Sequence, residues 1–433
     1  MRKTIHDPVH GSVAVDGPFR EILDRHEMQR LRGVRQLGLG NMVFPGANHT
    51  RFEHSLGVYH LSGRMASALG LPEEDVSEVK AAGLLHDICH APFSHAMEEL
   101  VEERTGFGHM ELAEKLIKGT IPTHLASDED MFSSARPISE VLEDAGISAD
   151  KVCDLIACPD SRNEGIEAFD EAERTSHFRS RDYMHQIIHG PVDADQMDYL
   201  MRDSLYTGVV HGSIDVERIL STMKVFNDRI VIEKGGAVAA EGLMVSRSLM
   251  YTSVYYHRTV RIIRMMLAKA VEASSIDISD AYLWTDADLM EMLVRDGGVP
   301  SLLARSVRNR VLYKKAVSLT SEETSEELAE TLSCHAGYQR RKALEKEIAD
   351  KAGIDVSEVV VDLPPKSSLL SAVSIGKTDV SILDDGKVRP LTRSSSLAKA
   401  LQSRDAYGWT LLVASPGNRT EAVAKAAGKV LGL

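Results

Sequence analysis

The sequence predicts a mainly α-helical protein with a small α+β unit at its C-terminal end. Three observations carry that expectation. Aromatic residues make up only 5% of the 433 residues while methionine reaches 17, a balance that suits helical cores better than a β-sandwich. Apolar residues recur at helical spacing through the first part of the chain, as at Leu31, Val34 and Leu37. After about residue 352 the pattern changes to short β-branched runs punctuated by Pro and Gly. The expected division is a core with an N-terminal arm and a helical extension over 1–350, and a small α+β domain over 351–433.

The elements follow in order. Residues 1–18 are β-branched and broken by Gly and Pro, which predicts an extended arm or small hairpin. A helical pattern starts at Glu21 and ends at Gly38-Leu39-Gly40. Phe52 to Leu69 can carry a helix. Leu71-Pro72-Glu73-Glu74 starts another, with Pro in the first turn and acids at the positive end of the dipole. It runs through Val76, Val79 and Leu84 to His86-Asp87. Residues 95–118 read as continuing helix, and 119–180 as a polar stretch with two short helical candidates. Asp193 opens a helix to about Leu205. Val225, Ile230 and Ile232 around Asn227-Asp228 predict a hairpin near 224–239, and 241–273 reads as one long helix. Thr320-Ser321-Glu322-Glu323 has the form of a capping box. Farther on, Val380 to Leu383 and Thr410 to Ala414 read as strands, Asp384-Asp385-Gly386 as a tight turn, and Ser395–Leu401 and Glu421–Leu431 as helices.

The net charge of −14 repels a phosphate backbone, so a generic nucleic-acid face is not expected. A local positive pocket for a small phosphorylated ligand is compatible with it. Cys89, Cys153, Cys158 and Cys334 are too few for a disulfide scaffold and form no CxxC pair, so reduced thiols are the default. The first residues contain no apolar leader, and no run approaches the 18 apolar residues of a membrane span. A cytoplasmic protein with no membrane partner is expected.

Three segments concentrate chemistry: Asn48 to Ser55, His86 to His95, and Asp193 to Asp203. The second holds His86, Asp87, His90 and His95 just after an apolar helix. His and Asp are the donors that a divalent metal of intermediate hardness takes. At a helix end, both His86 and Asp87 can turn toward one ion, and His90 faces the same cleft. The blander alternative is a helix C-terminus with dipole-stabilised histidines. His54 lies among apolar Phe52, Leu56 and Val58, where a core histidine is the alternative. Asp195, Tyr199 and Asp203 fall at i, i+4 and i+8 on one helical face. Acids so spaced repel when exposed, so a cation or a sugar hydroxyl is expected to reward that face.

RFEHSLGV, LLHDICHAPFSH and DADQMDYLMRD together resemble the H…HD…D pattern of HD-domain phosphohydrolases. With DPVHG, QRLRGVRQLG and VFPGANHTRFEHS, the chain is similar to the deoxynucleoside triphosphate triphosphohydrolases of that superfamily, the family of the animal SAM-and-HD-domain enzyme and its microbial counterparts. The similarity is dense over 3–110 and 183–260. It implies an HD-domain helical fold and a homodimer or homotetramer. It also implies one divalent metal ion on His54, His86, Asp87 and Asp195, a donor set that accommodates Fe, Mn, Mg, Ni or Zn alike. By the same resemblance His95 is the acid that protonates the departing 5′ oxygen and Glu98 orients it. His90 and His109 face the phosphates.

The resemblance further assigns Arg51 and Arg247 to phosphate, Gln36, Leu37 and Asp203 to the sugar 3′-hydroxyl, and Tyr199 and Tyr255 to packing the sugar. Two positions depart from the family pattern: Gln196 stands where close relatives carry a phosphate-binding Lys, and Tyr256 where they carry a Gln near the base. Lys3, Asp24, Gln29, Arg32, Arg310 and Lys314 match a set that reads an activating GTP or dGTP, while Ala239 replaces an Asn of that set. The expected activity is metal-dependent cleavage of dNTPs to deoxynucleoside and tripolyphosphate. The alternatives are an HD-type nucleotide phosphatase or phosphodiesterase on another phosphorylated substrate, and a catalytically silent nucleotide-sensing module.

Overall fold

The structure, a computed structural model, describes residues 2–132, 135–157, 182–364, 380–402 and 409–433. The chain opens with an antiparallel hairpin, β1 (Lys3–Asp7) and β2 (Gly11–Val15), in which Asp7 lies opposite Gly11. Val13 and Val15 of this hairpin are buried in the main core. The helical reading from Glu21 is corrected in continuity. Two short helices, α1 (Gly17–Asp24) and α2 (His26–Arg30), are separated by extended Arg25, and a 3-10 turn follows at Leu31–Gly33. Arg25 breaks the helix while pairing with buried Glu27 at 2.7 Å.

The central helix α3 (Arg51–Ala68) is buried on nearly every face, as its mixture of apolar and small polar residues allows. Thr50 and Glu53 cap it reciprocally, Thr50 N donating to Glu53 at 2.6 Å. Against it packs α4 (Glu73–Leu85), which ends at His86. The expected helix over 95–118 is split. A 3-10 turn at Ser94–Ala96 precedes α5 (Glu98–Thr105), Gly106 at φ 76° ends that helix, and α6 (His109–Ile117) begins afresh. Short helices α7 (Glu129–Phe132), α8 (Ile138–Glu143) and α9 (Ala149–Ile156) follow. The rest of the polar stretch, 158–181, lies outside the described residues.

Next come α10 (Asp182–His189), α11 (Ala194–Thr207) and α12 (Val216–Thr222). Asp193 caps α11 by accepting from Gln196 N at 2.6 Å. The hairpin near 224–239 is present as β3 (Met223–Phe226) and β4 (Arg229–Glu233), with Asn227 and Asp228 both left-handed at the turn. The single helix expected over 241–273 is corrected to two, α13 (Ala237–Met250) and α14 (Arg258–Glu272), joined through a π-turn at Tyr251–Tyr255. That wider turn brings Tyr255 within reach of Asp203.

Helices α15 (Asp286–Asp296) and α16 (Gly298–Arg308) close the helical body. Then follow β5 (Lys314–Leu319), α17 (Glu326–His335), α18 (Tyr338–Ala352), β6 (Val360–Asp362), β7 (Ser381–Asp384) and β8 (Lys387–Pro390). The last elements are α19 (Leu391–Ser394), α20 (Ser396–Gln402), β9 (Leu411–Ser415) and α21 (Thr420–Leu431). The Thr320 box exists but closes only a 3-10 turn, and Ser325 caps α17.

Strand order is β3-β4-β7-β8 in one sheet and β5-β9-β6 in another. A second core gathers Leu332, Leu344, Ile348, Val361, Val413 and Val423. It is tied to α14 by ion pairs, Arg261 with Asp362, Lys269 with Glu345, and Arg341 with Glu272 at 2.9 Å. The fold is mainly helical with small sheets, as expected. Among the described residues no helix is long and apolar enough to cross a membrane.

Candidate metal centre

His54, on the first turn of α3, is completely buried. Its Nδ1 meets Asp198 Oδ2 at 2.7 Å, which places the proton on Nδ1 and leaves the Nε2 lone pair facing inward. His86, at the end of α4, repeats the device with its Nδ1 on Gly83 O at 3.0 Å. Among the described residues neither Nε2 atom, both buried, has a hydrogen-bond partner. Buried polar atoms are costly to leave unmatched.

Two carboxylates converge on those orphaned nitrogens. Asp195 Oδ1 lies 3.0 Å from His54 Nε2 and 3.8 Å from His86 Nε2. Asp87 lies 3.6 Å from His54 Nε2 and 3.4 Å from His86 Nε2. Adjacent donors around an ion held at about 2.1 Å stand about 3 Å apart. His54, His86 and Asp87 bring donor atoms within 4.8 Å of one another and could hold one divalent ion, with Asp195 beside the two imidazoles. Burial raises the Asp87 pKa, but Arg51, His86 and His90 outweigh it and hold the carboxyl well below its ordinary range. Burial lowers His54, yet Asp195 and Asp198 outweigh that and raise it to about 10. In the absence of a metal the two carboxylates favour a second proton, on Nε2; a cation bound there would take that proton's place.

The support for His54 comes from residues that sequence reasoning passed over. Asp198 also accepts from His10 at 2.6 Å and from both arms of Arg202 at 2.8 Å. Arg202 in turn reaches Asp7 at 2.8 Å, and Asp7 accepts from the backbone of Val9 and His10. Asp198 and Arg202 are fully buried. Gly57 makes room for them: a Cβ there would stand 1.9 Å from Asp198 Oδ1. The available signal was an opposite-charge pair at i, i+4 on a helix whose Met197 and Leu200 leave no exposed face.

Beside the metal set, Arg51 bonds Asp87 with its guanidinium and donates to Ser94 Oγ at 2.7 Å. Its expected phosphate role places it at the same spot. His90 Nε2 stands 3.0 Å from Asp87, and its ring stacks on His109 at 4.3 Å. His109 pairs with Glu98 at 2.9 Å. Burial, then the Arg51 charge, pushes His90 down to about 3. Burial also opposes a charge on His109, but Glu98 outweighs it and raises His109 above its ordinary value. His90, Glu98 and His109 thus meet next to Asp87. The side chain of His95 lies outside the described residues.

Of the residues expected around the sugar, Tyr199 and Asp203 lie on the acidic face of α11, which is largely covered. Asp203 is buried, accepting from Tyr255 at 2.8 Å and meeting His49 Nε2 at 2.6 Å. Tyr199 sits edge-on to Tyr255 at 5.8 Å. Arg247 lies against the Tyr251 ring at 5.5 Å. Gln36 Oε1 is buried without a partner, and neighbouring Leu37 is buried. Gln196 turns inward, its amide donating to Gly190 O and Asp193, each at 2.9 Å.

The residues expected to read an activator make contacts of their own. Lys3 pairs with Asp24 at 2.7 Å on the surface, and Gln29 accepts from Arg32 at 2.8 Å. Arg310 donates to Met42 O, and Lys314 sits opposite Ser415 in the second sheet.

Comparison with known proteins finds relatives along most of the chain. An HD domain matches residues 51–203, and an HD associated region matches residues 214–433. An uncharacterized protein of Methanocaldococcus jannaschii is 29% identical over 96% of this chain and 79% of its own length. The SAMHD1 deoxynucleoside triphosphate triphosphohydrolase of Homo sapiens is 29% identical over 72% of this chain and 49% of its own. The chain likewise spans 59% of YwfO, an uncharacterized Bacillus subtilis protein that is 34% identical. A solved hypothetical protein from Aquifex aeolicus superposes with a TM-score of 0.70 and 26% identity, covering 98% of this chain and all of that one. A phosphohydrolase from Bacteroides thetaiotaomicron shares the fold, with a TM-score of 0.68 over 96% of this chain and all of that one, at 24% identity. The two matched regions take in the His/Asp cluster and the C-terminal half, and the chain belongs to the HD-domain family.

Proposed function

We propose that the protein hydrolyses deoxynucleoside triphosphates to deoxynucleoside and tripolyphosphate with one divalent metal ion. The observation that carries the reading is the convergence of His54, His86, Asp87 and Asp195 around two orphaned imidazole nitrogens. A divalent ion there supplies Lewis-acid polarisation of a phosphoryl group and lowers the pKa of an attacking water. Arg51, bonded to Asp87 at the edge of that set, would hold a phosphate oxygen with its remaining donors, and its fork suits the task. Gln36 Oε1 offers an acceptor to a sugar hydroxyl, and the Tyr199–Tyr255 edge offers a wall for the ring.

The departing 5′ oxygen needs a proton. His95, on the turn after Ser94, is the proposed donor. Protonated His109 beside Glu98 is the competing one, favoured by its raised pKa. The inward-turned Gln196 brings no positive charge to the phosphates, which keeps a less charged substrate as the second reading.

The deciding experiment offers dNTPs, NTPs and phosphomonoesters with several metals and resolves the products. Tripolyphosphate release is expected. Release of orthophosphate alone would replace this reading with the second. His54→Ala, Asp87→Ala and Asp195→Ala should each abolish bound metal and turnover with the fold retained. His95→Ala should slow turnover roughly 10²–10⁴-fold with metal retained. If His109→Ala has that effect instead, the acid is His109.

A further inference from the structure

The peptide that leads into His95 has an unusual backbone. Phe93 and Ser94 are consecutive non-glycine residues in the left-handed region, at φ 55° and 46°. Such conformations persist only where their surroundings over-determine them. Gly38 contributes by close approach, since a Cβ there would lie 3.1 Å from Phe93 O. Arg51 contributes through Ser94 Oγ. The third contact comes from α15, far along the chain. Asp286 Oδ1 accepts from Phe93 N at 2.8 Å. Its Oδ2 accepts from Arg35 N at 3.2 Å, with the Arg35 guanidinium at 3.4 Å.

Asp286 is buried, and its own helix does not require it as a cap. Thr285 and Asp288 already close the α15 N-terminus reciprocally. The carboxylate instead ties two loops together. One carries Ser94 and His95. The other runs from Arg35 to Gln36 and is bridged at Arg35 to Thr50, just before Arg51.

We propose that Asp286 is a positioning residue of the reaction, locking the Phe93–Ser94 turn onto the Arg35–Gln36 loop so that His95 and Arg51 hold a fixed relation. The proposal rests on the phosphohydrolase reading. Asp286 acts through the turn and has no contact with His54, His86, Asp87 or Asp195 among the hydrogen bonds and ion pairs of the described residues. Burial pushes its carboxyl up to about 6. Arg35 and Arg51 face it from the neighbouring elements, Arg30 lies within electrostatic reach, and Asp288 follows on its own helix.

The test compares Asp286→Ala and Asp286→Asn with the wild type, each loaded with Mn²⁺. The readouts are metal content, steady-state kinetics on a dNTP from pH 5 to 9, melting temperature, and amide exchange at Phe93 and Ser94. Asp286→Ala should lose roughly 10²-fold in kcat, the scale of a misplacement near 1 Å, with metal content unchanged and Phe93 exchange accelerated. Asp286→Asn keeps an acceptor for Phe93 N, so it should fold if the Ala variant does not, and exchange less freely. As the uncharged counterpart of the protonated carboxyl, it should match the wild-type rate below about pH 6 and depart from it only above, where Asp286 is ionised.

Wild-type kcat in Asp286→Ala, or a kcat loss without faster Phe93 exchange, would overturn the proposal. Loss of metal in step with kcat would also overturn it. A wild-type protein that hydrolyses no phosphorylated compound would sink the phosphohydrolase reading instead. The exchange comparison would still show whether Asp286 holds the turn.

Discussion

Asp198 carries more of the metal site than its distance from the cluster suggests. Its carboxylate orients His54, satisfies His10 and neutralises Arg202, all without exposure to water. Removing one partner from a buried charge pair leaves the other uncompensated, at a cost of about 3–5 kcal/mol. Asp198→Asn should therefore lower the urea midpoint by a large fraction of total stability. It should also weaken metal binding by about 10–100-fold, because the His54 tautomer is no longer fixed. Denaturation and metal titration on the same preparation check both effects. Unchanged metal affinity would show that His54 is oriented by α3 packing alone.

Asp286 makes an opposite statement about stability. Its folded pKa of about 6 lies above the ordinary carboxylate value, chiefly through burial. A raised carboxyl favours folding at pH below the unfolded value near 4, and that contribution is lost as pH rises through about 6. The shift corresponds to up to about 3 kcal/mol, at 1.36 kcal/mol per unit. Asp286→Asn cannot ionise and should be no less stable than the wild type above pH 6. Urea midpoints of the two proteins across pH 4–8 should converge toward the acid end.

At the scale of elements, the β1–β2 hairpin does more than begin the chain. It delivers Asp7 and His10 to the back of α11, where they close the Asp198–Arg202 pair. His10→Ala should therefore reduce metal affinity within the same 10–100-fold range although His10 touches no metal donor. Isothermal titration with Mn²⁺ measures this directly. The hairpin itself was legible from β-branched residues around a Gly, and the β3–β4 hairpin from Asn227-Asp228. Both are local signals. The break at Tyr251–Tyr255 was not, because no Pro or Gly marks it. That turn brings Tyr255 to Asp203, a partner 52 residues earlier, and such a contact leaves no mark in periodicity. The same holds for β5, whose pairing partner β9 comes only after α17, α18 and three further strands.

For the whole molecule, a surface group near the N-terminus borders the helix that carries His54. Lys3 and Asp24 are about half exposed and paired with each other, while Arg32 lies over the Phe52 ring at 3.6 Å. Phe52 is on α3, two residues before His54. We propose that GTP or dGTP binds this group and favours an assembled, active form through its differential affinity for that state. Turnover of a non-guanine dNTP should then rise on adding GTP, with a parallel rise in assembled species by sedimentation. Asp24→Ala should remove both responses. No response in the wild-type protein would leave Lys3–Asp24 as a surface ion pair, ordinarily worth about 0–1 kcal/mol.

The sequence by itself determined the helical class, the α+β ending, both hairpins and the residue types of a divalent-metal site. Cap chemistry, apolar spacing and turn residues act within a few positions, so they can be read without knowing the fold. Only the tertiary structure decided that His54 Nε2 and His86 Nε2 face Asp87 and Asp195 across one gap. It alone brought Asp198, Arg202, Asp7 and His10 behind them, and set Asp286 beneath the Phe93 turn. Those residues work through contacts spanning up to 251 positions. Burial gives them their energies, and burial of a charged side chain becomes visible only once the chain has closed around it.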